Sequence, residues 1–301
     1  MSDADRRGGE RAEGAGGRRP SWLRKERRFP RRVLDGKGRI SALGLHTICE
    51  SAQCPNLTEC FQHGNATFLI LGDVCTRDCA FCAVTHGIPG EADPEEGRKI
   101  ASYAAEHGLS YCVITSVTRD DLPDGGAAHF VRVVRDLRLL RPSTRIEVLV
   151  PDFGGRGEAV DAVADLDLAV FGHNIETVPS LYTRMRSGAD YARSLEVLRR
   201  AGTGRDRLLL KSGLMAGLGE RTEEWESVFG DLAEAGVRIL TIGQYLRPAA
   251  RNAPVARYLH PEEFEDLAAR ARACGIPRIV AGPYVRSSYL AEQAYFGGKN
   301  V

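Results

Sequence analysis

The chain has 301 residues, enough for one large α/β domain or two small ones with a full hydrophobic core. Charged residues make up 27% and hydrophobic residues 43%, and a net charge of +1 argues against a nucleic-acid-binding protein. A run of 18 or more apolar residues does not occur, which argues against a membrane-spanning helix.

The first 20 residues predict a disordered tail. They are rich in Gly, Arg and Glu, and they lack the apolar stretch that a secretory signal requires. A mitochondrial transit peptide avoids acidic residues, whereas four are scattered here: Asp3, Asp5, Glu10 and Glu13. We therefore expect a cytoplasmic protein whose ordered part begins near residue 21.

Residues 21–65 predict an N-terminal extension packed on the main domain, because they are basic at first, then rich in Cys, and poor in periodic structure. Six basic residues lie between Arg24 and Arg32, and a solvated surface is the usual interpretation of such a run. The alternative is a docking surface for an acidic protein partner.

From residue 66 onward, short apolar segments alternate with amphipathic ones. Strands are predicted at 66–71, 111–115, 145–150, 168–171, 207–211, 238–242 and 277–281. Helices are predicted between them, for example at 94–107, 126–139, 221–235 and 261–274. Repeated strand–helix units predict an α/β fold with a parallel sheet, namely a partial (β/α)6 TIM-type barrel over residues 66–282. Residues 283–301 then form a C-terminal extension.

Chemistry in such barrels lies on the loops that follow the strands, and the run CTRDCAFC follows the first of them. Its thiolates, Cys75, Cys79 and Cys82, fit three corners of one cubane iron–sulfur cluster. A cubane usually takes four cysteines, so one iron would stay open to a substrate. Zinc is the alternative, although a structural zinc site needs four ligands, and His86 as the fourth would close the site.

Three more cysteines, Cys49, Cys54 and Cys60, precede the first strand with the spacing C-x4-C-x5-C. Disulfides are a poor explanation without a secretory signal, because cytosolic thiols stay reduced. The triad indicates a second cluster that is again one ligand short. The two remaining cysteines, Cys112 in an apolar strand and Cys274 at a helix end, are expected to be buried structural thiols.

The C-x3-C-x2-C spacing after the first barrel strand resembles the signature of the radical S-adenosylmethionine (SAM) superfamily. With the upstream triad, the resemblance narrows to the lipoyl synthase family and covers residues 22 to about 289. Six further strings are similar to that family in the same order: VITSVTRDDLPDGGA at 113–127, VLVPDFGG at 148–155, HNIETV at 173–178, KSGLMAGLGE at 211–220, GQYLRP at 243–248 and VRSSY at 285–289.

The resemblance implies a ligand for each open position. In the first cluster, the open iron would bind the amino and carboxylate groups of SAM. In the auxiliary cluster, Ser288 would be the fourth ligand, and Ser287 is the competing candidate. Without the resemblance, two serines at such a position would usually be solvated turn residues.

The resemblance also implies contacts with SAM by residues that could instead have purely structural roles. Phe81 could simply belong to the core, and Asn174 with Glu176 could form a turn and a helix start. Lys211 ends a predicted strand ahead of a glycine-rich loop that allows close backbone approach to a ligand or merely permits tight turns. The expected SAM-contacting residues are Phe81, Thr115, Ser116, Asn174, Glu176 and Lys211.

The implied activity is the radical-mediated insertion of two sulfur atoms, taken from the auxiliary cluster, at C6 and C8 of a protein-bound octanoyl-lysine. The implied cofactors are SAM and two [4Fe–4S] clusters. The implied partners are octanoylated lipoyl carrier domains (the E2 subunits of 2-oxoacid dehydrogenases and the glycine cleavage H protein), a ferredoxin or flavodoxin reductant, and an iron–sulfur carrier. Neither nucleic acid nor membrane is expected to bind.

Three alternatives compete with this interpretation. A methylthiotransferase or a biotin synthase-like enzyme is also radical-based, but the upstream triad and the C-terminal serines argue against both. An electron carrier needs closed clusters, whereas both triads are one cysteine short. A structural zinc protein does not account for the barrel motifs.

The sequence departs from the family pattern at four positions, which puts details of substrate contact in doubt. Phe61 replaces the usual Trp, and Gly172 stands where Asn is common. Ser180 replaces an Arg, and Asn252 falls where many members carry His.

Overall fold

The structure, a computed structural model, describes residues 19–23, 30–62 and 66–297. Most of the predicted tail, residues 24–29 of the basic run and residues 298–301 of the C-terminal extension lie outside the described residues. In the described ranges, we find no helix with both the length and the apolar character needed to cross a bilayer.

Seven parallel strands form the wall of an open barrel, and three short strands accompany them. In chain order the strands are β1 (His46–Thr47), β2 (Thr67–Ile70), β3 (Val74–Cys75), β4 (Thr85–His86), β5 (Tyr111–Ser116), β6 (Arg145–Leu149), β7 (Val170–Gly172), β8 (Leu209–Ala216), β9 (Val237–Gln244) and β10 (Arg278–Gly282). Each strand predicted from residue 66 onward is confirmed, with small shifts at most ends.

The α-helices in chain order are α1 (Arg31–Ala42), α2 (Ile48–Ser51), α3 (Leu57–Gln62), α4 (Glu96–Glu106), α5 (Ala127–Leu140), α6 (Gly157–Ala164), α7 (Tyr182–Met185), α8 (Tyr191–Gly202), α9 (Glu224–Glu234), α10 (Pro261–Ala273) and α11 (Ala291–Phe296). Short 3₁₀ turns occur at Ser21–Leu23, Phe153–Gly155 and Pro179–Leu181. The four predicted helices are confirmed as α4, α5, α9 and α10.

The main sheet has the order β1-β2-β5-β6-β7-β8-β9-β10, with parallel pairing throughout except for the antiparallel β1. Helical crossovers join each of the seven parallel strands to the next, giving six strand–helix units and a last strand. The edge strands of this sheet are β1 and β10, so the barrel is open between these two strands. The predicted partial (β/α)6 barrel is therefore confirmed.

Two local expectations are wrong. Residues 31–42 form α1, although the segment is poor in periodic pattern because it contains two glycines. Gly36 brings the helix close to Phe61: a Cβ added at Gly36 would lie 3.4 Å from the Phe61 ring. Strand β8 runs to Ala216 rather than ending at Lys211. The glycine-rich pattern predicts a loop at Gly213, yet this residue lies inside the strand, where an added Cβ would lie 2.8 Å from Asn174 Oδ1.

The hydrophobic core lies between the outer face of the sheet and the helices. Its fully buried aromatic side chains include Phe68, Phe130, Phe171 and Phe229. Burying such side chains contributes about 2–3 kcal/mol each, so the barrel can hold loops of low intrinsic stability in place. Cys112 is fully buried in this layer, as predicted, whereas Cys274 is only partly buried because it caps the end of α10.

The C-terminal extension closes the open side of the barrel against residues 49–62. Tyr289 Oη donates to Glu59 Oε1 at 2.8 Å, and Asn56 Nδ2 donates to the Tyr284 carbonyl at 2.5 Å. Gly243 of β9 permits this approach, because a Cβ there would lie only 2.0 Å from the carbonyl oxygen of Val285. The extension thus lies against β9 at a position that only glycine can occupy.

Replacing Gly243 with Ala should therefore displace the C-terminal extension. We expect faster proteolytic cleavage after β10 and a loss of roughly 1–3 kcal/mol in unfolding free energy, the usual cost of overpacking. Gly230→Ala in α9 is the matched control, since nothing lies within 4 Å of its added Cβ. Equal protease sensitivity of the two variants would contradict the close-contact argument.

Candidate active site

A cavity of about 380 Å³ lies inside the barrel and brings the two cysteine sets together. Its lining includes all three upstream cysteines, one cysteine of the CTRDCAFC loop and both C-terminal serines: Cys49, Cys54, Cys60, Cys82, Ser287 and Ser288. Residues separated by more than 200 positions in the sequence therefore share one space. Cys75 and Cys79 lie in the loop of Cys82 but are not among the lining residues.

The CTRDCAFC loop is held by hydrogen bonds to its sulfur and carbonyl atoms. Cys75 Sγ accepts from the amides of Arg77 and Thr118, each at 3.4 Å. Asn252 Nδ2 donates to the Cys82 carbonyl at 2.7 Å, and the Ala253 amide donates to the Ala80 carbonyl at 2.8 Å. Amide donors around a thiolate sulfur are typical of iron–sulfur sites.

Arg77, inside the cysteine loop, joins three loops of the barrel rim. Its guanidinium binds Asp120 (Nη2 to Oδ1, 2.8 Å; Nε to Oδ2, 2.7 Å) and Asp152 (Nη2 to Oδ1, 2.8 Å). Arg193 Nη1 also donates to Asp152, at 3.2 Å. Two carboxylates on one planar guanidinium fix its orientation, and with it the loop that carries the cysteines.

The turn that enters the cysteine loop is fixed from behind by a buried pair. Leu71 adopts a left-handed conformation, with φ of 68°, and its amide donates to Glu96 Oε2 at 3.1 Å. The same oxygen lies 2.6 Å from His129 Nε2. Non-glycine residues seldom adopt this conformation. The Glu96–His129 pair, which joins α4 to α5, therefore stabilises a strained turn at the start of the loop.

Burial raises the pKa of three of the thiols in the two triads, so they are hard to ionise on their own. It raises the pKa of Cys79 to about 11, and burial together with the neighbouring thiols raises the pKa of Cys82 to about 12. Burial and the adjacent Cys54 raise the pKa of Cys49 to about 12. Thiolates in such surroundings need a nearby cation, which iron would supply.

On the opposite wall, a strained turn presents Asn174 and Glu176 to the cavity. Glu176 has φ of 70° and is held by backbone hydrogen bonds to Gly213 and Met215. Asn174 Nδ2 donates to Glu176 Oε1 at 2.9 Å, and Arg186 Nη1 donates to the Asn174 carbonyl at 3.0 Å. Burial raises the pKa of Glu176. This carboxylate is positioned to accept hydrogen bonds from a polar ligand.

The two C-terminal serines differ in their contacts. Ser287 Oγ donates to Asn174 Oδ1 at 2.9 Å, so its hydroxyl is committed to the Asn174–Glu176 turn. Ser288 lines the same cavity as the upstream triad, as do Tyr289 and Arg286. The fold-back of the extension, which the Ser288 assignment requires, is present.

The remaining predicted SAM contacts separate into two groups. Phe81 and Thr115 line the cavity, and Thr115 Oγ1 donates to the Leu149 carbonyl at 2.8 Å. Ser116 and Lys211 are not among the lining residues. Lys211 Nζ pairs with Glu147 Oε1 at 2.7 Å in the barrel interior, which does not favour its role as a SAM ligand.

The glycine-rich segment ends in a loop that is closed by Glu220. Its carboxylate accepts from the amides of Gly217 and Leu218, at 3.0 and 3.1 Å. An added Cβ at Gly217 would lie 2.3 Å from Gln244 Nε2, so glycine is required there. The glycines of this segment therefore allow both a tight turn of the backbone and the close approach of neighbouring side chains.

Sequence reasoning missed Arg77 and Arg186, the cations that organise the rim. The acidic or carbonyl partners of these two arginines lie on other loops, so the sequence gives no local pattern for them. The one available signal was the presence of Arg77 inside the CTRDCAFC run. Of the four departures, Phe61 lies in the core, Gly172 ends β7, and Asn252 anchors Cys82.

The donor set fits iron–sulfur clusters. All three upstream thiols and Cys82 of the CTRDCAFC loop line the cavity, and Ser288 lines it as well. Over residues 19–23, 30–62 and 66–297, no three His, Cys, Asp or Glu side chains are grouped as a single metal ion requires. A cubane does not require that grouping, because each thiolate binds a different iron.

Comparisons with known proteins agree with this arrangement. The family model described as "Radical SAM superfamily" matches residues 69–232, more than half of the chain. The structure is similar to HydG, a maturase of the [FeFe]-hydrogenase (TM-score 0.60, 16% identity, 78% of this chain and 55% of that one). It is also similar to methylornithine synthase PylB (TM-score 0.54, 13% identity, 83% and 77%). The barrel and its cysteine loop thus define a protein of the radical SAM superfamily.

Within that superfamily the chain belongs to the lipoyl synthase family. It is 50% identical over 276 residues to the lipoyl synthase of Nitratidesulfovibrio vulgaris strain Hildenborough, covering 92% of each chain. It is 48% identical to that of Caldicellulosiruptor saccharolyticus, covering 92% of this chain and 97% of that one. The predictions of a radical SAM sulfurtransferase, of SAM and of two [4Fe–4S] clusters are confirmed.

The Arg77 network makes a prediction about pH. Burial alone would raise the pKa of Asp152, but Arg77 outweighs it and lowers the pKa from 3.8 to about 2. The carboxylate therefore stabilises the fold above about pH 4, and this contribution is lost as the pH falls toward 2. Asp152→Asn should cost about 2 kcal/mol in unfolding free energy at pH 7, with a difference from wild type that shrinks toward pH 2.

Chemical denaturation of both proteins across this pH range checks the prediction. Asp167→Asn is the control, since that carboxylate is 82% exposed in its pair with Arg138 and should cost less than about 1 kcal/mol. A pH-independent difference at Asp152 would contradict the argument.

Proposed function

We propose that this enzyme inserts two sulfur atoms, at C6 and C8, into an octanoyl group that is amide-linked to a lysine of a lipoyl carrier domain. The observation that carries the proposal is that the upstream triad, Cys82 of the CTRDCAFC loop and Ser288 all line one cavity inside a barrel. An unactivated C–H bond must be placed between a radical source and a sulfur source, and a single enclosed cavity allows that.

In this proposal Cys75, Cys79 and Cys82 hold one [4Fe–4S] cluster and leave its fourth iron for SAM. Cys49, Cys54 and Cys60, with the Ser288 oxygen, hold the auxiliary cluster. When bound, the clusters and SAM supply the electron, the 5′-deoxyadenosyl radical and the sulfur atoms. All other steps belong to the chain: binding, orientation and exclusion of water.

The cavity residues would divide these tasks. Asn174 and Glu176 would bind polar groups of SAM, with Arg186 and Gly213 fixing their turn. Phe81 would pack against an apolar face of the ligand, and Thr115 would contact it from β5. Supporting this division, each of the four ligand-facing residues lines the cavity.

Ser288 would give the auxiliary cluster a corner that opens first. An alkoxide is harder than a thiolate and is protonated off iron more easily. A ligand that leaves readily suits a cluster from which sulfur is taken. Ser287 would serve the SAM side instead, consistent with its hydrogen bond to Asn174.

The partners follow from this chemistry. The carriers would be the E2 subunits of 2-oxoacid dehydrogenases and the glycine cleavage H protein, in the cytoplasm. A ferredoxin or flavodoxin would supply electrons, and an iron–sulfur carrier would rebuild the consumed cluster. In domain terms, residues 21–65 and 283–301 would serve the auxiliary cluster, and residues 66–282 the radical chemistry.

Separating the two triads tests the function. Reconstituted wild type should carry about eight irons, and replacing Cys75, Cys79 and Cys82 with Ala should remove about four. Cys49→Ala with Cys54→Ala should still cleave SAM to 5′-deoxyadenosine but give no sulfur insertion into an octanoyl-lysine peptide, measured by mass spectrometry. Loss of SAM cleavage in the folded double variant would mean that the cluster roles are reversed.

The serine assignment is tested by a matched pair. Ser288→Ala should bind a cluster yet lose sulfur insertion by at least about a hundredfold, in line with the loss of a metal ligand. Ser287→Ala should retain measurable insertion and weaken SAM binding. Ser288→Cys should slow insertion while retaining iron longer under chelator challenge, because thiolate binds iron more tightly. Wild-type insertion rates in Ser288→Ala would disprove the assignment.

A further inference from the structure

The cavity reaches the N-terminal ends of the barrel strands, at the opposite end from the CTRDCAFC loop. Alternate residues of β5 line it, namely Tyr111, Val113 and Thr115. Tyr111 is the first residue of that strand, so it marks the end of the barrel opposite the rim. Ala291, the first residue of α11, lines the cavity beside it.

The Tyr111 ring is held in place by a buried charged network. Its hydroxyl donates to Glu147 Oε2 at 2.6 Å, and Lys211 Nζ binds Glu147 Oε1 at 2.7 Å. Glu147 and Lys211 are each 1% exposed. Both carboxylate oxygens are thus engaged, and release of the tyrosine would leave a buried acceptor unpaired. The ring cannot swing aside cheaply.

Helix α11 closes the space beneath this ring. Ala291 packs on Tyr111 and Val113, and the Tyr295 ring lies 5.9 Å from that of Tyr111. The helix is fastened to the barrel bottom: Ser110 Oγ donates to Glu292 Oε1 at 2.8 Å, and Arg278 donates to the Tyr295 carbonyl. A chain entering from the rim therefore meets a closed end.

The walls above this end include the apolar side chains of Val113, Leu149 and Leu214. Glu147 and Lys211 neutralise each other, and the tyrosine hydroxyl is bonded to Glu147. A ligand that enters by its free end therefore meets the aromatic ring with an apolar terminus. In an acyl group anchored to a carrier protein, that terminus is the methyl end.

We propose that Tyr111, with Ala291 beneath it, is the stop that sets the length of the acyl chain this enzyme accepts. The inference rests on the proposed function. Tyr111 acts as a specificity-determining residue, while Glu147 and Lys211 are positioning residues that keep its ring across the cavity. Acyl chains longer than octanoyl would have to displace the ring.

The test compares dissociation constants of octanoyl-lysine and decanoyl-lysine peptides for the reconstituted full chain. Wild type should bind the octanoyl peptide at least about tenfold more tightly than the decanoyl peptide. In Tyr111→Val the affinity for the decanoyl peptide should rise about tenfold, because the space that the ring vacates can take up two more methylenes. Tyr111→Phe keeps the ring and should keep the wild-type ratio.

Tyr103→Val is the matched control: a buried tyrosine that packs on Phe68, and not among the residues lining the cavity. The inference is overturned if Tyr111→Val leaves the ratio unchanged, or if Tyr103→Val shifts it equally. Should Tyr111→Val fail to take up iron, Ala291→Leu is the second variant to measure. The larger side chain should shorten the cavity, so this variant should bind a hexanoyl peptide more tightly than the octanoyl peptide. An unchanged preference there also overturns it. Failure of wild type to distinguish octanoylated from unacylated peptide would instead reject the proposed function.

Discussion

The contact on which the active site depends is the docking of the C-terminal extension across the open side of the barrel. Seven parallel strands leave a gap between β1 and β10. Gly243 lets the Val285 backbone close against the wall, and Tyr289 reaches Glu59 beside the upstream cysteines. Without this contact the cavity would be open to water, and Ser287 and Ser288 would not line it together with the upstream cysteines. The extension is therefore part of the active site rather than a tail.

The opposite side of the cavity depends on strain held by a rigid frame. Leu71 and Glu176 both adopt left-handed conformations, each costing on the order of 1–3 kcal/mol. Each is fixed by a neighbouring element: the Glu96–His129 pair holds Leu71, and strand β8 holds Glu176. Such strain persists only when the surroundings over-determine it. The well-packed sheet and helices provide that stability, and it keeps the loops in a single orientation.

The sequence predicted the strands because a parallel sheet buried on both faces leaves continuous apolar runs. The spacing of the cysteines singled out the two triads, and four of these six residues line the cavity. The sequence did not predict the full length of β8, because a glycine-rich run is typical of a loop. The reason for glycine at position 213, namely the close approach of Asn174, is visible only in the structure. Nor did the sequence predict the partners of Arg77 or Lys211, because ion pairs between distant loops leave no local pattern. Lys211 illustrates this limit: it was predicted to end a strand, whereas it lies inside β8 and pairs with Glu147 of β6.

The separation between the two halves of the auxiliary site has a consequence for synthesis. Glu59 and Tyr289 are 230 residues apart in the chain. At about 5–20 residues per second, the extension leaves the ribosome roughly 10 to 50 s after the cysteines do. During that interval the three thiols have no cover from the C-terminal segment. Before translation ends, the cavity that these cysteines line is therefore incomplete, and it closes only in the finished polypeptide.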